Sequence, residues 1–311
     1  MSSIVAVAGG TGGLGRTIVG AIVGDGKYEV IVLSRKADAE KEKEIGVRIV
    51  PVDYTSVDAL VKVLEENKVD TILATVNGQA DPEVNLIAAA DKATSTKRYV
   101  PTVWGVKIPD EMAALSSISK AKHAILAALA GTTSLEYTVW YPGFFSDYYV
   151  APNVKTHMSI INVVIDVPNN TAAIPGSGDV LVVLTHSSDI AKFAAASLAL
   201  PKWQPETYLI GDKVTWNEVL AIAEEAKGVK FQVAYDSIET LKSGKVTELP
   251  GNVAMYPFLP KEQFQSILSM FGILFSSGYY DFKPEHPINE SFPEIKTRTV
   301  KELMTEAWKG K

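Results

Sequence analysis

The chain has 311 residues, 47% apolar and 21% charged, with no cysteine and a formal net charge of -6. A chain this long makes one large domain or two modest ones with a sizeable core, and its near-average composition excludes a disordered or fibrous protein. The lack of cysteine excludes disulfides, zinc–thiolate sites, iron–sulfur clusters and a cysteine nucleophile, and the acidic balance gives no reason to expect nucleic acid, which attracts basic surfaces.

No side-chain charge precedes Arg16. The opening has no basic region before its apolar run, and Gly9-Gly10 breaks that run after Ala8. It therefore reads as neither a secretory signal nor a membrane span. The expectation is a soluble, cytoplasmic protein. In that setting the sequons Asn169-Asn170-Thr171 and Asn289-Glu290-Ser291 are chance matches.

Taken in chain order, residues 4–8 read as a buried strand and 13–23 as a helix. Residues 29–34 read as a strand, 38–44 as a solvated helix, 47–52 as a strand and 57–66 as a helix. Then come a strand at 69–76, a helix at 82–92, a strand at 98–102, a helix at 115–130 and a sixth strand at 135–141. Apolar strands alternating with helices predict a doubly wound parallel sheet with right-handed crossovers, covered on both faces. After Pro142-Gly143 the rhythm is lost. Strands are expected at 160–167 and 180–185, joined by the turn-rich Pro175-Gly176-Ser177-Gly178, and helices at 189–200 and 217–227. Thr215-Trp216-Asn217-Glu218 is a capping box for the second helix, and a last helix is expected at 300–308. The fold class is α/β, with residues 1–152 forming the sheet domain. Residues 153–311 form a smaller, partly interleaved α/β substrate lobe with segments packing back on the first domain.

Gly9, Gly12 and Gly15 follow the first strand and open the first helix with the spacing G-x-x-G-x-x-G. Such a loop permits a tight turn, close helix–strand packing and approach of the backbone to a pyrophosphate at the helix N-terminus. Thr11, Gly13 and Leu14 belong to the same loop. Gly10-x4-Gly15-Arg16-Thr17 also approaches a P-loop, with arginine in place of lysine, but glycine at both 9 and 12 favours a dinucleotide. An acidic residue ending the second strand would select NAD; here stand Ser34, Arg35 and Lys36. Arginine there suits the 2′-phosphate of NADP(H), with Lys43 a weaker additional contact.

Further motifs carry a resemblance. They are Val52-Asp53-Tyr54, Lys97-Arg98-Tyr99-Val100-Pro101 before Trp104-Gly105, and Ser119-Lys120-Ala121-Lys122 followed by Gly131. Tyr137-Thr138, Pro142-Gly143-Phe144-Phe145, Thr185-His186-Ser187-Ser188-Asp189-Ile190-Ala191 and the stretch from Phe292-Pro293 to Trp308 continue it. With the glycine loop, they resemble the isoflavone-reductase-like proteins, in the NmrA-like, atypical branch of the short-chain dehydrogenases, and fungal members above all. The resemblance implies a Rossmann domain, NADP(H), and reduction of a small, often aromatic, secondary metabolite by a monomer or homodimer. It implies Lys120, eleven residues before Gly131, as proton donor or acceptor that also contacts the nicotinamide ribose. Asp53, Asn77, Gly143 and Phe144 are its further cofactor candidates, and Trp104, Phe145, Tyr148 and His186 its candidates for the substrate.

The sequence also departs from the family. Ser116 stands where the common short-chain pattern has tyrosine, Thr102-Val103-Trp104-Gly105 replaces S-E-F-G, and Ala124-Ile125 replaces an arginine pair. On a helical wheel Leu115, Ile118, Ile125, Leu126 and Leu129 form a stripe that includes Lys122, and Lys120 lies opposite with Ala124 and Ala127. That pattern leaves open whether Lys120 faces a cleft or bulk solvent. No pairing of the four histidines suggests a metal, and Asp189 reads as a helix N-terminal residue. An NADP-sensing regulator without catalysis, or a non-redox isomerase, lyase or cyclase, stay open beside the reductase.

Overall fold

The computed structural model describes residues 3–76, 80–113 and 116–311. Strand β1 (Ile4–Ala8) presents Val5, Ala6, Val7 and Ala8, none more than 1% exposed, so both of its faces are covered. There follow α1 (Gly13–Asp25), β2 (Glu29–Ser34), α2 (Ala39–Ile45), β3 (Ile49–Pro51) and α3 (Val57–Glu66). Then come β4 (Val69–Ala74), α4 (Asp81–Lys92), β5 (Arg98–Val100), α5 (Ser117–Ala130) and β6 (Glu136–Tyr137). The sheet order is β3-β2-β1-β4-β5-β6, with every pair parallel. The strand order reverses between β1 and β4. In open α/β sheets ligands bind at such a switch point, beyond the carboxyl ends of the strands.

The expected sixth strand is cut short. After Tyr137 the chain leaves the sheet: the Val139 amide donates to the Pro205 carbonyl at 2.9 Å, and Thr138 Oγ1 meets Thr207 Oγ1 at 2.7 Å. Residues Val139–Tyr141 form a separate strand, β7.

The chain divides into two compact units. The first comprises residues 1–104, 109–141 and 190–207, and the second 105–108, 142–189 and 208–311. The second contains β8 (Phe144–Phe145), α6 (Asp147–Val150), β9 (Ile165–Asp166), β10 (Thr171–Pro175) and β11 (Leu181–Thr185). Helix α7 (Ser187–Ser197) begins there and continues in the first unit, and β12 (Glu206–Tyr208) returns the chain. The remaining elements are β13 (Asp212–Thr215), α8 (Trp216–Lys227), β14 (Gln232–Asp236), α9 (Ile238–Lys242), α10 (Lys261–Ser276) and α11 (Val300–Trp308). Two three-stranded sheets, β13-β11-β8 and β14-β10-β9, flank a core in which Phe144, Trp216, Phe275 and Tyr280 meet in edge-to-face and tilted pairs.

Here the sequence reading needs correction. The strand expected at 160–167 shrinks to β9, because Val164 has φ +64° and the Ile165 amide turns back to the Val163 carbonyl at 2.7 Å. The adjacent β10 lies in a stretch read as leading into a turn. The capping box on α8 is present as read, with the Thr215 side chain accepting from the Glu218 amide and the Glu218 carboxylate from the Thr215 amide. Both sequon asparagines are engaged: Asn169 Nδ2 donates to both Asp166 oxygens at 2.9 Å, and the Asn289 amide pairs with the Ile210 backbone, also at 2.9 Å. No described helix is long and apolar enough to cross a membrane.

Candidate dinucleotide site

The glycines of the loop divide into two kinds. Gly9 has φ +83°, and a side chain there would come within 2.7 Å of the Thr75 carbonyl. A Cβ on Gly15 would collide with Thr75 Oγ1 and lie 2.6 Å from the Gly9 carbonyl oxygen. These two glycines let α1 pack down on β1 and on the end of β4. By contrast, a Cβ on Gly12 or Gly13 would meet no atom within 4 Å. Gly12 is the N-cap of α1, yet the helix has neither a side-chain cap nor an acidic residue in its first turn. Its positive end is left uncompensated beneath an open glycine surface, which suits an anion. This division of labour is that of a dinucleotide loop and not of a phosphate-wrapping P-loop.

At the end of β2 the side chains of Arg35 and Lys36 are exposed. Arg35 is near enough to Tyr54 to favour its phenolate electrostatically, although burial and Glu83 together hold that phenol well above its ordinary value. Asp53 is exposed and taken up locally: Oδ1 accepts from the Thr55 hydroxyl at 2.6 Å and the Thr55 amide at 2.9 Å, which lower its carboxyl below the usual range. Asn77 lies outside the described residues.

Helix α5 is capped by Ser116, whose hydroxyl accepts from the Ser119 amide at 3.0 Å. Lys120 is exposed with Ala124 and Ala127, while Ile125 and Leu129 are buried, as the wheel predicts. Lys122 turns the other way. Its side chain is half-buried, its ammonium is enclosed and 3.4 Å from the Trp104 carbonyl, and burial pulls its pKa down to about 8. Trp104 itself is 8% exposed, packs on Trp140 and donates its indole N–H to the Ala74 carbonyl at 2.8 Å. It is a core residue at the sheet edge, not a lining residue.

The other candidates lie in the second unit. Gly143 has φ +84° and is packed against the Val183 backbone, and Phe144 is buried among Tyr148, Phe271, Phe275 and Tyr280. Phe145 and Tyr148 are half-buried and touch edge to face. His186 is 1% exposed, and its position leaves no face for substrate. Arg298 Nη2, which can only donate, is 3.1 Å from His186 Nδ1, so the ring proton sits on Nε2, 3.6 Å from Asp147. Burial lowers the His186 pKa, with Asp147 opposing and Arg298 adding to the effect. Asp189 lies in the first turn of α7 and accepts from the Arg298 amide at 2.8 Å.

Two residues beside the sheet edge, Thr75 and Glu83, were not singled out from the sequence. Thr75 Oγ1 donates to the Ala8 carbonyl at 2.9 Å and lies under the glycine loop. Its place one residue past a parallel strand was the available signal. Glu83, 1% exposed, accepts from the Thr102 amide at 2.8 Å.

Fold and loop together define a Rossmann-type sheet with a dinucleotide-type glycine loop, and the basic end of β2 has the charge that suits a 2′-phosphate. The family follows from comparison. The NmrA-like family matches residues 1–304, and the chain belongs to it. It is 35% identical to oxidoreductase BOA1 of Botryotinia fuckeliana, over 94% of this chain and 95% of that protein. It is 29% identical to oxidoreductase swnN of Metarhizium robertsii, over 98% and 97% of the two chains. Its fold is also that of AtPrR2 solved with NADP+ and (+)pinoresinol, with TM-score 0.75, 21% identity and 98% of each chain covered.

Proposed function

We propose that the protein is an NADPH-dependent reductase of a small, aromatic or conjugated metabolite, with Lys120 as general acid–base. The observation that carries the reading is the open Gly12–Gly13 surface over an uncapped helix terminus, beside an exposed Arg35. The loop amides and the α1 terminus bind the pyrophosphate, and Arg35 and Lys36 bind the 2′-phosphate. NADPH, when bound, supplies the hydride. Lys120 projects from α5 with an accessible amine and gives its proton to the substrate atom that gains negative charge. Lys122 does not share this role, because two residues along a helix place it on the other side, against the Trp104 carbonyl. The half-buried pair Phe145 and Tyr148 supports an aromatic substrate, as does the pinoresinol bound to AtPrR2.

The test is Lys120→Met, assayed against a panel of phenolic and conjugated carbonyl substrates. Turnover should fall by about 100-fold or more while NADPH affinity holds, the scale of a lost general acid. Full turnover in that variant contradicts the mechanism.

A further inference from the structure

Two ionisable side chains, Glu83 buried and Lys122 half-buried with its ammonium enclosed, have no part in the chemistry above and close on one short stretch of backbone. From α4, Glu83 Oε1 accepts the Thr102 amide at 2.8 Å and the Tyr99 hydroxyl at 3.4 Å, while its Oε2 is buried without a hydrogen-bond partner. From α5, Lys122 Nζ reaches the Trp104 carbonyl. The segment between, Thr102-Val103-Trp104, follows β5 after Pro101, at the carboxyl edge of the sheet. It is linked to the glycine loop through two packed steps. The Trp104 indole holds the Ala74 carbonyl, and the next residue, Thr75, lies against Gly9 and Gly15.

We propose that Glu83 and Lys122 are paired positioning residues that fix the Thr102–Trp104 backbone, and through Trp104 and Thr75 the glycine loop that holds the cofactor. The proposal rests on the NADP(H) reading for its last link only. Neither residue touches cofactor or substrate in this account. Each supplies a hydrogen-bond partner to a part-buried backbone group once the strand ends.

The arrangement also makes this edge sensitive to pH. Burial pushes the Glu83 carboxyl up to about 8, against the hydrogen bonds from Thr102 and Tyr99. Burial alone brings Lys122 down to about 8. The groups facing Glu83 from other elements are Tyr99 on β5 and Tyr54 after β3, both phenols held neutral by burial. Arg35 acts on Tyr54 from the end of β2. Around Lys122, the titratable groups of its own helix are Lys120 and His123, and His123 Nδ1 lies 3.6 Å from Asp110. Below about pH 8 the clamp is a neutral acid and a cation; above it, an anion and a neutral amine. The local charge thus inverts across one narrow range while the two backbone contacts must persist.

The test uses the full-length protein and two readouts: amide exchange at Thr102, and NADPH affinity by fluorescence titration. Glu83→Leu should speed Thr102 exchange roughly tenfold, the expected consequence of a lost buried acceptor. Glu83→Leu and Lys122→Met should each weaken NADPH about fivefold, the usual size of an effect passed through packed neighbours. Glu83→Gln keeps the acceptor and cannot ionise, so it should restore both readouts and remove the part of the pH dependence of NADPH affinity that Glu83 contributes. Lys122→Arg should likewise rescue Lys122→Met. Because the glutamine variant carries the pH readout, the test does not depend on the leucine variant folding. Unchanged Thr102 exchange in Glu83→Leu, or a glutamine variant with the wild-type pH profile, overturns the proposal. Should the wild type bind no NADPH, the functional reading fails, and Thr102 exchange alone then confirms or refutes the clamp.

Discussion

Two stretches of one sheet edge are built on opposite principles. The glycine loop after β1 is shaped by what is missing: no charge, no cap, no Cβ where α1 must settle onto β4. The segment after β5 is shaped by what is present, a buried acid and an enclosed amine on a half-buried lysine that partner its backbone. A surface meant to meet an anion leaves its own amides uncommitted. A surface meant to stay put has its amides and carbonyls satisfied from within. The first should be sensitive to added volume and feel pH only through its link to the second; the second should answer to pH directly.

The largest expected effect separates the two kinds of glycine. Gly12 has extended backbone at φ -161° and free space around it, so Gly12→Val should fold normally. It should nonetheless lose NADPH binding by about 100-fold, some 2.7 kcal/mol, because the side chain fills the place of the phosphates. Gly15→Ala should instead destabilise the fold itself by roughly 1–3 kcal/mol, the cost of overpacking a closed site. Titration with NADPH and thermal melts of both variants check the contrast. Equal stability losses in the two would erase it.

The second effect is a stability minimum. Glu83 titrates from a reference of 4.5 to about 8 on folding, so the native state holds the extra proton between these values and stability falls as pH rises through them. Lys122 moves from 10.5 to about 8, so from there upward the unfolded state holds the extra proton and stability rises with pH. The two groups therefore contribute a trough near pH 8. Glu83→Gln should remove the descending limb and Lys122→Met the ascending one, each by roughly 5 °C in Tm. Melting curves across that range decide, and a flat wild-type contribution from both groups would contradict the assignment.

The smallest effect lies in the second unit. Thr215→Ala removes one half of the α8 capping box and should cost about 1 kcal/mol with no change in cofactor affinity. Chemical denaturation checks the first part, and NADPH titration the second.

The same contrast explains what could be read from the chain. Strands 4–8 and 29–34 and helices 57–66 and 300–308 have the bounds expected of them, because their own apolar periodicity sets them. Helix α10, 16 residues long, escaped notice. It starts after Pro260 without a capping side chain and buries Phe264, Leu268, Met270, Gly272 and Leu274, which gives no clean polar face. The loop's glycines were legible since their absent side chains are themselves the signal. Glu83 was not, for an acid in the first turn of a helix looks like an ordinary dipole partner. Its burial is set by Tyr99 and Thr102, which lie 16 and 19 residues away. The roles of the two lysines turn on which side of α5 packs against Trp104, which no wheel of that helix alone contains.

The central claim, that the loop and the basic end of β2 form an NADP(H) site, is tested most directly by calorimetric titration with NADPH and NADH. The wild type should prefer NADPH, and Arg35→Ala should weaken NADPH by about 10- to 100-fold, the range for charge-assisted hydrogen bonds, while leaving NADH unchanged. Equal affinity of the wild type for both nucleotides, or an Arg35→Ala variant that keeps its preference, would contradict the account.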